Sequence, residues 1–254
     1  MIAKPIIIAG PCVIESLDCL CEVAEEIQRL NSKYHIEIVF KSSFDKANRT
    51  SIHSYRGPGL DLGLKYLSEI KERFNLSILT DIHECYQAQL VSSVVDVIQI
   101  PAFLCRQTDL IVAAAKTGKT INVKKGQFLS GYDMKPVVEK LFDSGNHHVW
   151  VTERGTTFGY NNLVVDFRNI TIMKEFAPEV IMDCTHSVQL PGAGSDCSDG
   201  QSGYILSMAL AAKAFGASGY FFEVHPDPKK AKCDGPNMLD LASLESVVKA
   251  IICE

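Results

Sequence analysis

One pattern constrains this chain more than any other: a short apolar run, a polar turn, then a stretch of helical period, repeated along the whole sequence. The runs are Pro5–Ala9, Ile36–Phe40, Leu76–Thr80, Val95–Ile100, Thr120–Val123, His148–Val151, Val180–Met182 and Tyr220–Val224. Continuous apolar runs of this length are what strands covered on both faces look like. Between them lie amphipathic stretches such as Leu20–Leu30, Leu60–Phe74, Thr108–Thr117, Pro136–Ser144, Leu163–Phe176 and Ser202–Phe215, and Asp240–Ile252 closes the chain. Eight strand–helix units in 254 residues predict a (β/α)8 TIM barrel, with residues 1–254 forming one catalytic domain. A doubly wound open sheet fits less well, because no G-x-G-x-x-G follows the first run.

In such a barrel function gathers at the carboxyl ends of the strands, and polar residues accumulate there. The second run leads into Lys41-Ser-Ser-Phe-Asp-Lys-Ala-Asn-Arg-Thr50, with three cations in ten residues. Cations held together at a strand end are costly unless an anion sits among them, which points to a phosphorylated or carboxylated small molecule. Further polar residues end the other strands: Asp81 and His83, Gln99, Asn122 and Lys124, Thr152 and Arg154, Asp183, Glu223 and His225. Period-two spacing puts Asn122 with Lys124, Thr152 with Arg154 and Glu223 with His225 on shared faces. Cys12, His186, Glu223 and Asp234 form a second set. They follow the first, seventh and eighth runs, which a closed barrel brings to one seam. A thiolate, an imidazole and two carboxylates suit a divalent ion such as Zn²⁺, Fe²⁺ or Mn²⁺.

Composition limits the partners. Lys and Arg number 25 against 30 Asp and Glu, a net charge of −5, so the bulk surface repels nucleic acid and anionic membranes. No apolar run approaches the roughly 20 residues that span a bilayer. Nine cysteines without paired spacing, behind a start too short in its apolar part for an export signal, predict reduced thiols and a cytoplasmic location.

The motifs together resemble those of the 3-deoxy-manno-octulosonate 8-phosphate synthase (2-dehydro-3-deoxyphosphooctonate aldolase) family. The matching segments are Ile8-Ala-Gly-Pro-Cys12, Lys41–Arg49, Ser54-Tyr-Arg-Gly-Pro-Gly59, Thr80-Asp-Ile-His83, Val95–Leu104, Arg106-Gln-Thr-Asp109, Asn122-Val-Lys-Lys125, Asp183-Cys-Thr-His186 and His225-Pro-Asp-Pro228, and they cover nearly the whole chain. The resemblance implies a (β/α)8 enzyme, a transferase that condenses phosphoenolpyruvate with arabinose 5-phosphate and water, releasing phosphate, in Kdo and lipopolysaccharide biosynthesis. Related synthases use erythrose 4-phosphate. They read Lys-Pro-Arg-Thr-Ser where this chain has Lys46-Ala-Asn-Arg49, which favours the five-carbon sugar.

Carried over position by position, the resemblance assigns Lys41, Lys46, His83, Gln99, Lys124 and Arg154 to phosphoenolpyruvate. It assigns Asn48, Arg49, Thr50 and Arg106 to arabinose 5-phosphate, with Arg106 reaching into a neighbouring subunit of a homotetramer. Lys46, Cys12 and His186 are the catalytic candidates, and Cys12, His186, Glu223 and Asp234 the ligands of a divalent metal ion. Members with Cys at the position of Cys12 bind metal, whereas Cys233-Asp-Gly-Pro236 is similar to the version in metal-independent members. The run Gly192–Ser202 departs from the family pattern. A Schiff-base aldolase built on Lys124 and a non-catalytic barrel that senses a sugar phosphate are the rival readings.

Overall fold

The computed structural model of the chain describes residues 4–192 and 199–253. Eight parallel strands close on themselves: β1 (Ile6–Gly10), β2 (Ile38–Lys41), β3 (Ile78–Asp81), β4 (Val97–Ile100), β5 (Thr120–Lys124), β6 (Val149–Glu153), β7 (Glu179–Asp183) and β8 (Gly219–His225). Each pairs with the next, and β8 pairs with β1, so no strand edge is left open and the sheet is a barrel. Helices α1 (Leu17–Tyr34), α2 (Leu60–Phe74), α3 (Cys85–Ser92), α4 (Thr108–Ala115), α5 (Lys135–Asp143), α6 (Arg168–Met173), α7 (Ile205–Ala214) and α8 (Leu241–Ile252) follow the strands in turn. The predicted (β/α)8 barrel is therefore the fold. No described helix is long and apolar enough to cross a membrane.

Two helices depart from expectation. The eight-residue α3 gives little periodic signal in the sequence, and its start is held by a reciprocal cap between Glu84 and Gln87. The stretch expected to be helical from Leu163 to Phe176 starts late. Leu163–Val164 pairs with Thr156–Thr157 instead, and Asp166 accepts from the Arg168 backbone N–H at 3.1 Å, so the helix begins only beyond it. The divergent run Gly192–Ser202 falls largely on 193–198, outside the described residues.

The strand pattern builds the functional end. Ile8, Val39, Leu79, Val97, Ile181 and Phe221 pack inside the barrel as an apolar floor, with Ile6 and Trp150 against it. Two positions further along each strand the next inward side chain stands one layer higher. Those positions are Lys41 after Val39, Asp81 after Leu79, Gln99 after Val97, Thr152 after Trp150, Asp183 after Ile181 and Glu223 after Phe221. An apolar floor thus carries a polar layer at the carboxyl ends. Gly10 closes the same layer on β1. A Cβ there would lie 2.0 Å from the Lys41 carbonyl oxygen, so only glycine lets β1 and β2 approach this closely at the mouth.

Candidate active site

The polar layer opens into a cavity of about 410 Å³ lined by Lys41, Lys46, Asn48, Arg49, Thr50, His83, Gln99, Lys124, Arg154, His186 and Asp234 among others. Eleven sequence-predicted residues therefore meet at one site. Cys12 and Glu223 lie at its edge, buried, through contacts to Asp234 and Lys41. Arg106 does not line the cavity. It is exposed beyond β4, and its carbonyl accepts from Lys140.

Five cations line the cavity: Lys41, Lys46, Arg49, Lys124 and Arg154. The Lys41 ammonium is fully buried, donating to Glu223 at 3.0 Å and to the Cys12 carbonyl at 2.9 Å. Lys124 donates to Asp183 and stands over the Phe221 ring, 3.3 Å from its centroid. Burial pushes the Lys124 ammonium down to about 8, and Asp183 only partly opposes this. Arg154 donates to Gln189 at 3.1 Å, while its other terminal nitrogen is buried without a partner. The Lys46 ammonium has no hydrogen-bonded partner among the described residues, and although burial opposes its charge, nearby Cys12, Cys233, Glu223 and Asp234 hold its pKa well above the usual lysine value. A buried guanidinium nitrogen and an ammonium without acceptors are what an anion site looks like before its anion arrives.

The loop between β2 and α2 positions Lys46, Asn48, Arg49 and Thr50. Its shape comes from the Lys46 N–H donating to the Arg56 carbonyl at 2.7 Å, the paired Arg56–Asp45 hydrogen bonds at 2.8 and 2.5 Å, and Tyr55 donating to the Ile14 carbonyl at 2.9 Å. Gly57 turns the chain at φ +113°, where a Cβ would lie 2.4 Å from the Phe44 carbonyl oxygen. Arg49 emerges turned inward, donating to the Cys233 sulfur at 2.9 Å, with its Nε buried and unpartnered.

Asp183 organises the β7 side. One of its oxygens accepts from the Thr185 N–H and hydroxyl, both at 3.1 Å, and from the His186 N–H at 2.8 Å. The other accepts from Lys124 and lies 2.7 Å from His186 Nδ1. Burial opposes a charge on Asp183, but His186 and Lys124 hold its pKa well below the carboxylate range. The His186 proton thus belongs on Nδ1, and Nε2 faces Glu223 Oε1 at 3.4 Å. His83 pairs with Asp81 at 3.1 Å, and Gln99, Asn122 and Thr152 form a buried chain with hydrogen bonds of 3.1 and 2.6 Å.

The predicted metal ligands form two overlapping groups rather than one. His186, Glu223 and Asp234 offer ligand atoms within 4.8 Å of one another, and so do Cys12, Cys233 and Asp234. Asp234, in the left-handed region at φ 50°, joins them. The residues fit a divalent ion on two counts. Glu223 Oε2 is buried without a partner, and a His186 whose Nδ1 is tied to a carboxylate presents Nε2 as a ligand. Burial works against the charge on Asp234, yet Lys46, His186 and the two thiols lower it to about 2, so it is ionised at any working pH.

One residue at the site is not singled out in the sequence: Gln189 bridges Arg154 and Asp234, and no spacing signals it. Cys233 stands in the Cys233–Pro236 motif and not among the candidate ligands, although it adjoins Asp234 in sequence.

Known proteins match the chain over nearly its whole length. The model of the DAHP synthetase I family matches residues 3–252. A 2-dehydro-3-deoxyphosphooctonate aldolase of Campylobacter jejuni (strain RM1221) is 56% identical over 260 residues, 98% of this chain and 96% of the relative. The protein of the same name from Fusobacterium nucleatum is 52% identical, covering 97% and 89%. That from Helicobacter hepaticus is 52% identical, covering 97% and 95%. On a match over nearly the whole chain, the chain belongs to the DAHP synthetase I family.

Proposed function

We propose that this chain is a transferase that condenses phosphoenolpyruvate with arabinose 5-phosphate and water to give 3-deoxy-manno-octulosonate 8-phosphate and phosphate, the step that feeds Kdo and lipopolysaccharide synthesis. The observation that carries the reading is the convergence of Lys41, Lys46, Lys124 and Arg154 on one cavity, in a chain whose near-full-length relatives are named for this product. Lys124, Arg154 and Lys46 offer charge-assisted hydrogen bonds to the carboxylate and phosphate of phosphoenolpyruvate. Lys41, already neutralised by Glu223, keeps that carboxylate turned away from the anion. Arg49, Asn48 and Thr50 take the sugar phosphate and its neighbouring hydroxyls.

C3 of the enol attacks the aldehyde carbon, positive character develops at C2, and water adds there. The hemiketal phosphate then loses phosphate by C–O cleavage. Lys46, the ammonium free of a partner, protonates the new alkoxide or the departing phosphate. Gln99 and His83 line the face beside the enol. Cys12, His186, Glu223 and Asp234 would hold a divalent ion, which when bound would supply Lewis acidity and a water of lowered pKa. The chain acts in the cytoplasm as a homotetramer in which Arg106 enters a neighbouring site.

The test is release of inorganic phosphate with arabinose 5-phosphate against erythrose 4-phosphate, each with and without chelator. A clear preference for the five-carbon sugar is expected, and chelation should remove turnover. Preference for erythrose 4-phosphate would transfer the chain to the four-carbon synthases of its family. No release with either sugar would remove the synthase reading.

A further inference from the structure

Cys233 has no part in the reaction just described, yet it adjoins the site through Cys12, Asp234 and Arg49. Its sulfur is 2.9 Å from Cys12 Sγ and 3.3 Å from Asp234 Oδ2. Cys12 Sγ is itself 3.3 Å from the same carboxylate oxygen. Among the described cysteines no other pair brings sulfur this close to sulfur. Both side chains are buried. Two idle thiols gain little from such a contact, whereas two thiolates beside a carboxylate are the donors that thiophilic cations collect.

From these distances we infer that Cys233 is a second thiolate ligand of the metal proposed above, making the centre a two-sulfur site selective for thiophilic ions such as Zn²⁺ over oxygen-seeking ions such as Mn²⁺. The inference rests on the metal-dependent reading and adds a ligand to it.

Three features carry it beyond proximity. First, Asp234 belongs to both groups of candidate ligands, so an ion on Asp234 lies within reach of Cys12 and Cys233 as well as His186 and Glu223. Second, Glu223 Oε2, in a residue only 1% exposed, is buried without a partner. Third, Arg49 donates to the Cys233 sulfur at 2.9 Å, offsetting the charge of a buried thiolate in the way outer partners support metal-bound ligands. Sulfurs on one tetrahedral zinc lie roughly 3.7 Å apart for Zn–S bonds of about 2.3 Å, so the pair must open slightly. Cys233 can do so, because its other side lines a second cavity of about 690 Å³ bounded by Pro228, Lys232, Pro236 and Met238. The second sulfur changes the selectivity expected of the site: with one thiolate the ligand set tolerates hard ions, and with two it disfavours them.

The test uses the full chain, stripped of metal and reloaded with Zn²⁺ or Co²⁺. X-ray absorption at the zinc edge should fit two sulfur neighbours in the native protein and one in Cys233→Ser. The cobalt-loaded native protein should show thiolate-to-cobalt charge transfer about twice as intense as the variant. Losing a ligand should weaken Zn²⁺ binding at least as much as losing an outer partner, about 10–100-fold, with Mn²⁺ binding nearly unchanged. A single sulfur in the native protein would overturn the inference and leave the metal reading intact. A native protein that binds neither ion would overturn both. The native zinc measurement needs no variant, so misfolding of Cys233→Ser could not shield the idea. A Cys12–Cys233 disulfide persisting in reductant would also overturn it, since neither sulfur could then ligate.

Discussion

At the scale of single residues the site is a set of cations sorted by whether a carboxylate already holds them. Lys41 and Lys124 are paired, to Glu223 and Asp183, and Arg154 and Lys46 are not. This sorting makes Lys124 the pH-sensitive member. Burial brings its pKa to about 8, below the usual 10.5, so its charged form is present below that value and lost as pH rises through it. If the ammonium grips phosphoenolpyruvate, kcat/KM for that substrate should fall above a pH of about 8, since this ratio reports the free enzyme. Lys124→Arg should abolish that limb while lowering the plateau, because the guanidinium stays charged but does not fit the same space. A flat profile from pH 7 to 9 in the native protein would take Lys124 out of substrate binding. Arg49 makes the complementary case. It sits against Cys233 with its Nε free, so Arg49→Ala should cost about 2–4 kcal/mol in kcat/KM for arabinose 5-phosphate. Phosphoenolpyruvate binding, measured by calorimetry, should be much less affected. Equal losses for both substrates would mean that Arg49 acts on the site as a whole.

At the scale of elements, legibility in the sequence follows from periodicity. The apolar floor and the polar layer above it are spaced by two on each strand, so Lys41, Gln99, Asp183 and Glu223 could be read as sharing the barrel mouth before any coordinates. Helix α3 escaped because Cys85–Ser92 mixes polar and apolar residues without an apolar stripe of helical period, unlike the equally short α4. Gln189 escaped because it stands on a short strand outside the barrel, paired with Asp199–Gly200, where no spacing rule points inward. The division of the metal ligands into two groups also escaped. Topology says which strand ends meet, but the left-handed turn at Asp234 decides which side chains touch. The loop after β2 is where element and function join, because its conformation rests on Gly57 as much as on its charged residues. A residue with a Cβ at φ +113° meets both backbone strain and the Phe44 carbonyl. Gly57→Ala should therefore destabilise the fold by about 2–4 kcal/mol in urea titration. It should also raise KM for both substrates, and more for arabinose 5-phosphate, since Asn48, Arg49 and Thr50 all ride on this loop, whereas of the phosphoenolpyruvate cations only Lys46 does and Lys124 and Arg154 stand on β5 and just past β6. Unchanged stability would show that the loop relaxes around the new methyl and does not template the sugar site.

At the scale of the whole molecule, one predicted site residue lies away from both the cavity and its edge: Arg106 is exposed on the segment after β4. The segments following β4, β5 and β6, neighbours around the barrel, also expose Phe103, Phe128, Tyr132, Phe158 and Tyr160. Large aromatics gathered on one side of a barrel are characteristic of a face that another chain covers. They support the proposed assembly, in which a second copy packs here and Arg106 crosses into its cavity. A shared site makes a prediction that no isolated barrel can meet. Arg106→Ala leaves its own cavity intact but deprives a neighbour's, whereas Lys124→Ala disables its own cavity and leaves Arg106 for the neighbour. Each variant alone should lose most phosphate release. Mixed under conditions of subunit exchange, they form hybrids in which an intact cavity of the Arg106→Ala chain receives arginine from the Lys124→Ala chain, and activity should return in part. The recovered fraction should rise with the share of the Lys124→Ala chain and then fall as intact cavities become scarce. Light scattering on the same samples would establish that hybrids form. Hybrids without recovery, or near-normal activity of Arg106→Ala by itself, would reduce Arg106 to a surface residue and leave the cations of a single barrel, Arg49 among them, to bind both phosphorylated substrates unaided.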